Sequence, residues 1–199
     1  MKDARPVAKP VETKEKTLHK DEPVKVPKKH DKLLEERRAE FQKYDNDKEH
    51  YKDVAFNQKT GGLKATHKEH NFDPKTGWYE KDVQEAGFLQ GHSVILGKES
   101  QNEYHKKSNE GLWNNKPFEI AGAETATSNN IRNALKHCAS KPGTRIAVLY
   151  FPNENFTSQA FNEGLAKYEG LSGTSQYKKF DMIICIHGKT IVQTKKPSS

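Results

Sequence analysis

The chain has 199 residues, of which 32% are hydrophobic and 31% charged. Its mean hydropathy is −1.03, and its apolar share falls below the roughly 45–50% of compact domains, so part of it is expected to be solvated tail or helix. No run nears the roughly 18 apolar residues of a membrane span, the Lys-rich start lacks the apolar centre of a secretory signal, and Cys138 and Cys185 read as reduced, buried thiols rather than a disulfide or zinc framework. The balance of 34 Lys+Arg against 27 Asp+Glu, a net +7, favours a polyanionic partner, because cations gain affinity by displacing counterions from phosphates.

Residues 1–30 are rich in Lys, Glu and Val, with Pro6, Pro10, Pro23 and Pro27 recurring, and are expected to form a disordered basic tail. Residues 31–63 read as a polar connector helix, over about 32–52, and a linker. Leu33, Leu34, Arg37, Phe41 and Tyr44 fall at helical spacing behind an Asp31 cap, and Gly61-Gly62 breaks the pattern. Residues 64–199 read as one α/β domain. Its elements are a helix from Trp78 to Phe88, a strand Ser93–Leu96 and a hairpin around Asn114-Asn115. Then come a helix capped by Ser128 or Asn129 and stopped at Pro142-Gly143, a strand from Arg145 to Phe151 and a helix from Ser158 to Tyr168. Strands from Phe180 to Ile186 and from Thr190 to Gln193 close the order. The strands 145–151 and 180–186 are apolar at successive positions, as internal strands must be. The predicted order α-β-β-β-α-β-α-β-β makes a mixed central sheet with helices on both faces.

Alternation in the second hairpin strand puts Phe118 and Ile120 on one face and Glu119 and Ala121 on the other. A carboxylate inside a sheet is costly unless paired or bound to metal. Glu110 can meet Glu119 from the neighbouring strand, and Glu80 in the opening helix supplies a third acid. Carboxylates converging at strand ends suit Mg2+, with Glu110 and Glu119 the expected metal ligands and Glu80 the third catalytic acid. Small polar residues lead from this strand into a helix N-terminus, where free N–H groups bind anions. Thr125, Thr127, Ser128 and Asn129 are therefore candidate phosphate donors, with ordinary capping as the competing role. Arg132 and Lys136 are the candidate cations on that helix. His70 and His92 are candidate acid–base residues, since imidazole titrates near neutrality. His67 and His70 also have a spacing that suits a metal pair on a helix, while His137 reads as the edge of the core. Trp113 beside the hairpin turn is a candidate base-stacking residue, with Tyr104, Lys106 and Lys107 in the same aromatic and basic mixture. Trp78 and Tyr79 read as helix-to-sheet packing.

The opening helix with Glu80, the strand Ser93-Val94-Ile95-Leu96 and the segment Asn109-Glu110-Gly111-Leu112-Trp113-Asn114-Asn115-Lys116-Pro117-Phe118-Glu119-Ile120 together resemble the restriction-endonuclease-like nuclease core. The stretch over about 77–193 is similar to the C-terminal toxin domains of contact-dependent growth inhibition proteins, several of them tRNA nucleases. Similar modules occur in phage polyvalent and head-morphogenesis proteins of Bacteroidales. Two positions depart from that pattern: Asn109-Glu110 stands where the family has Pro-Asp, and Ala121 stands where a lysine follows the strand glutamate. Lys116 or Lys136 is then expected to replace that cation.

The resemblance implies a toxin-like nuclease cleaving RNA, with tRNA the first expected substrate, acting in the cytoplasm or delivered into a target cell's cytoplasm. Its expected partners are a cognate immunity protein or a phage structural protein, and no membrane. Two other readings stand beside it: a catalytically degenerate nucleic-acid-binding or particle-associated module, and a metal-independent ribonuclease using His70 or His92.

Overall fold

The computed structural model describes residues 28–98 and 109–196. Most of the predicted tail, and Tyr104, Lys106 and Lys107, lie outside the described residues. Four helices, α1 (Lys28–Asn46), α2 (Gly77–Leu89), α3 (Ser128–Ser140) and α4 (Ser158–Glu169), flank a single sheet. Its strands are β1 (Tyr51–Phe56), β2 (Leu63–His67), β3 (Ser93–Leu96), β4 (Gly111–Trp113), β5 (Lys116–Gly122), β6 (Ile146–Phe151), β7 (Met182–His187) and β8 (Thr190–Lys195). The strands lie side by side in sequence order. The β2–β3, β5–β6 and β6–β7 pairs are parallel and the other four antiparallel, so the sheet is mixed, as the sequence predicts.

Alternation along the inner strands sorts the core into two layers. Ile146, Val148 and Tyr150 of β6, Ile184 and Ile186 of β7, and Phe118 and Ile120 of β5 pack with Tyr79, Val83 and Ala86 of α2. The intervening Ala147, Leu149, Phe151, Ile183, Cys185 and Ala121 face Ile131, Leu135 and Cys138 of α3 and Phe161 and Leu165 of α4. Burying both faces is what makes these strands continuously apolar. Both cysteines are buried free thiols, and burial raises the pKa of each well above the ordinary thiol range.

The connector differs from expectation. The helix stops at Asn46, and Tyr51–Phe56, expected as helix end and linker, is a strand paired antiparallel to β2. The Asp47–His50 turn reverses the chain, and Tyr51 returns edge-on to Tyr44, with ring centroids 4.8 Å apart. Residues 31–63 are thus built into the sheet, and Tyr44, Leu63, Ala65 and Ile95 form a third core cluster under α1. Thr127, not Ser128 or Asn129, caps α3 by accepting from the Asn130 N–H. At the β4–β5 turn both Asn114 (φ 47°) and Asn115 (φ 63°) are left-handed, the backbone of a two-residue hairpin.

Arg37 fastens α1 to that turn. Its guanidinium donates to Glu40 (2.6 Å) and to the Asn114 side-chain oxygen (2.5 Å). The same Asn114 oxygen accepts from the Ser93 N–H, and Glu40 accepts from the Ser93 hydroxyl. Arg37→Ala is expected to cost about 2–3 kcal/mol, since it strands partly buried acceptors, and Arg37→Lys recovers little because an ammonium has no fork. Urea midpoints of the three proteins check this.

Candidate metal centre

The site forms where the start of α2, the start of β4 and the middle of β5 meet. Before α2, the Asp73 carboxylate accepts from the N–H groups of Lys75 and Thr76, and its carbonyl accepts from Gly77. These backbone donors hold the Asp73 pKa below the usual carboxylate value. Gly77 sits so close to Phe72 that a Cβ would lie 2.7 Å from the Phe72 Cβ. This tight start turns Glu80, in the first helical turn, inward to a buried position.

Glu110 is held by its backbone, whose N–H donates to Phe118 and whose carbonyl accepts from Gly97. Asn109 beside it donates to the Pro142 carbonyl and accepts from the Thr144 hydroxyl. The β4–β5 register sets Gly111 opposite Phe118, which places Glu110 opposite Glu119 on one face. The sequence-level pairing of these two acids corresponds to the observed register.

His70 joins Glu80 and Glu110. Its Nε2 lies 2.5 Å from Glu80 Oε2 and its Nδ1 donates to the Gly97 carbonyl at 2.9 Å. His70, Glu80 and Glu110 each present one ligand atom, all within 4.8 Å of one another. This histidine–carboxylate cluster is a set of donors able to hold a metal ion. His70 comes from the loop after β2 rather than from a helix, and His67, the last residue of β2, is not part of the cluster.

Burial alone would lower the His70 pKa, but the hydrogen bonds to Glu80 and Gly97 and the charges of Glu80 and Glu110 outweigh it, and the net shift is upward. A raised folded pKa stabilises the fold fully below the unfolded histidine value and is lost as pH rises through the folded one. In chelator, the stability margin of wild type over His70→Gln is therefore expected to be larger at about pH 5.5 than at about pH 9. Urea melts of the two proteins at both pH values measure it.

Glu119 is 1% exposed and takes one partner from α3 and one from its C-cap: His137 Nε2 and Lys141 Nζ each lie 3.2 Å from its Oε1. Its second oxygen is buried without a hydrogen-bond partner among the described residues. Glu119 is outside the three-residue cluster but shares its cleft, a cavity of about 780 Å³ whose lining includes Asp73, Glu80, Glu110, Glu119, Glu124 and Lys141. Among the described residues, five carboxylates therefore line the cleft with one lysine and His137.

The other expected site residues are placed differently. His92 sits at the far end of β3 from Gly97, with the Asn114 amide 3.0 Å from its Nδ1 and its ring beside Trp113. Burial, then the nearby Arg37, holds its pKa below the ordinary value. The polar groups at the start of α3 are engaged within the protein. Thr127 caps the helix, Thr125 accepts from the Asn130 amide, and Ser128 and Asn129 accept from Lys167. Arg132 donates to Asn133, Lys136 does not line the cleft, and Lys116 is paired with Asp181. Trp113 is fully buried, so it is core rather than a stacking surface, whereas Trp78 is 47% exposed.

The sequence reading missed Lys141 and placed His137 at the edge of the core. Ala134, His137, Cys138 and Lys141 recur at helical spacing on one side of α3, the side that packs on β5. That periodicity is the signal that could have found them. No known protein family matches the chain, and neither any curated protein nor any solved structure shows significant similarity to it. No described helix is long and apolar enough to cross a membrane.

Proposed function

We propose that the chain is a metal-dependent nuclease that hydrolyses phosphodiester bonds in RNA, tRNA first among its substrates. The observation that carries this reading is the convergence of Glu80, Glu110 and Glu119, from three separate elements, on one cleft with Lys141 against Glu119.

Glu80, Glu110 and His70 would hold the cation, with Glu119 the neighbouring acid. Carboxylates alone would take Mg2+, the ion in which cleavage is first tested. A bound divalent ion polarises the phosphoryl oxygens and lowers the pKa of a water. Lys141, the residue that caps the C-terminus of α3, takes the part of the lysine absent at Ala121: it orients a water beside Glu119 and offsets charge developing on the phosphate. Asn133 on the same wall supplies a neutral donor to the backbone of the nucleic acid.

The excess of carboxylates favours this reading over a degenerate binding module. A cleft lined by five acids repels a phosphodiester unless a cation lies between them, whereas a module that only binds nucleic acid needs Lys and Arg there. A cell producing such an activity would need an immunity protein that covers the cleft.

The ends of the cleaved RNA provide the test. Attack by water leaves a linear phosphate and a free 2′-hydroxyl, while a metal-independent histidine mechanism uses the 2′-hydroxyl and leaves a 2′,3′-cyclic phosphate. Total RNA and duplex DNA incubated with the full chain and Mg2+ should give RNA products with linear phosphate ends. Cyclic ends would assign the chemistry to histidines, and intact RNA at high protein concentration would support the binding module.

A further inference from the structure

We infer that the His70–Glu80–Glu110 cluster is a site for a first-row transition cation of the manganese-to-zinc series, bound in preference to Mg2+. The inference deepens the nuclease reading by naming the ion the same centre selects.

A carbonyl oxygen only accepts, so the contact from His70 Nδ1 to Gly97 fixes the proton on Nδ1. That leaves Nε2, which shares a proton with Glu80 Oε2 at 2.5 Å, as the atom a cation would take by displacing that proton. A histidine whose outer nitrogen is tied to a carbonyl while the other faces carboxylates has the arrangement that orients metal-ligating histidines. The ring is fully buried and Glu80 nearly so, so water does not compete freely for these ligand atoms. A second, independent feature lies at the same cleft: Glu119, one of its lining residues, has an oxygen that is buried without a hydrogen-bond partner among the described residues. A buried carboxylate oxygen normally finds a donor, and water bound to a cation in the neighbouring cluster would supply one.

The donor set then discriminates between ions. Mg2+ prefers an all-oxygen octahedron and keeps several waters. A neutral imidazole nitrogen adds little to its binding but adds substantially to that of the later first-row divalent ions. Two carboxylates and one imidazole, with coordination positions left for water or substrate, match what such ions take in catalytic sites.

The test uses the full chain, stripped with chelator, and no nucleic acid. Free Mn2+ is followed by electron paramagnetic resonance during titration, with and without competing Mg2+. Wild type is expected to bind Mn2+ at least about tenfold more tightly than Mg2+. His70→Gln should weaken Mn2+ binding by about 10–100-fold and Mg2+ binding by less than about threefold. Should that variant fail to fold, wild type carrying 15N-histidine is titrated with Zn2+ and then with Mg2+. The Nε2 resonance of one buried imidazole should move with Zn2+ and none with Mg2+.

Equal affinity for the two ions overturns the inference, as does selectivity that survives His70→Gln, or imidazole nitrogens that ignore Zn2+. The two proposals fail separately. RNA cleavage without ion selectivity retains the nuclease and removes the imidazole from the centre. Selective Mn2+ binding by a chain that cleaves no nucleic acid retains the site and removes the nuclease.

Discussion

Glu119→Gln is expected to slow RNA cleavage by on the order of 10²–10³-fold while leaving the chain folded. Glu119 sits on β5, an inner strand between β4 and β6, with its side chain on the face toward His137 and Lys141, and Gln preserves its volume, so the packing around Ala121 and Cys138 is maintained. What is lost is the negative charge that positions Lys141 and faces the cleft. Lys141 is 23% exposed along its side chain and reaches water when its anion is removed, which keeps the stability cost to about 1–2 kcal/mol. Glu124→Gln, at the exposed rim of the same cleft, is the control and should cleave at nearly the wild-type rate. Single-turnover rates, with urea midpoints for each protein, check both statements. A Glu119→Gln rate within a few-fold of wild type would remove Glu119 from the centre.

The largest stability loss is expected from Trp113→Ala, at about 3–5 kcal/mol. Trp113 has no exposed surface and lies between the sheet and α2. A Cβ on Gly87 would come within 2.8 Å of its ring, so the helix rests directly on the indole. Truncation opens a cavity under the helix that carries Glu80, and cleavage should fall along with stability. Trp113→Phe should cost much less than its lost volume suggests, because the buried indole N–H has no hydrogen-bond partner among the described residues and its removal ends a desolvation penalty. Urea unfolding with unchanged m-values measures both. A loss below about 1 kcal/mol for Trp113→Ala would mean that α2 is held elsewhere.

The contrast between legible and illegible parts of the fold is physical. The strand Arg145–Phe151 could be read because both its faces are buried, and Glu119 could be assigned a face because Phe118 and Ile120 fix the alternation. β1 could not be read that way. It is an edge strand with Lys52 and Asp53 exposed at an irregular register, so it carries little alternation, and only pairing with β2 makes it a strand. The site was half legible for the same reason. Glu110 and Glu119 are neighbours across one tight turn, a local relation. His70 reaches Glu80 through a loop, and Lys141 reaches Glu119 from a helix packed on the sheet. Both contacts depend on tertiary placement. The hydroxyl-rich loop misled in the opposite direction: its donors and acceptors were visible, but not that Asn130 and Lys167 would occupy them.

The most direct measurement is a time course of tRNA cleavage by the full chain in Mg2+, with EDTA added midway. The account predicts that cleavage proceeds and then stops on addition of the chelator, and resumes when Mg2+ is restored in excess. Cleavage that continues unchanged in EDTA would contradict a metal centre built on Glu80, Glu110 and His70.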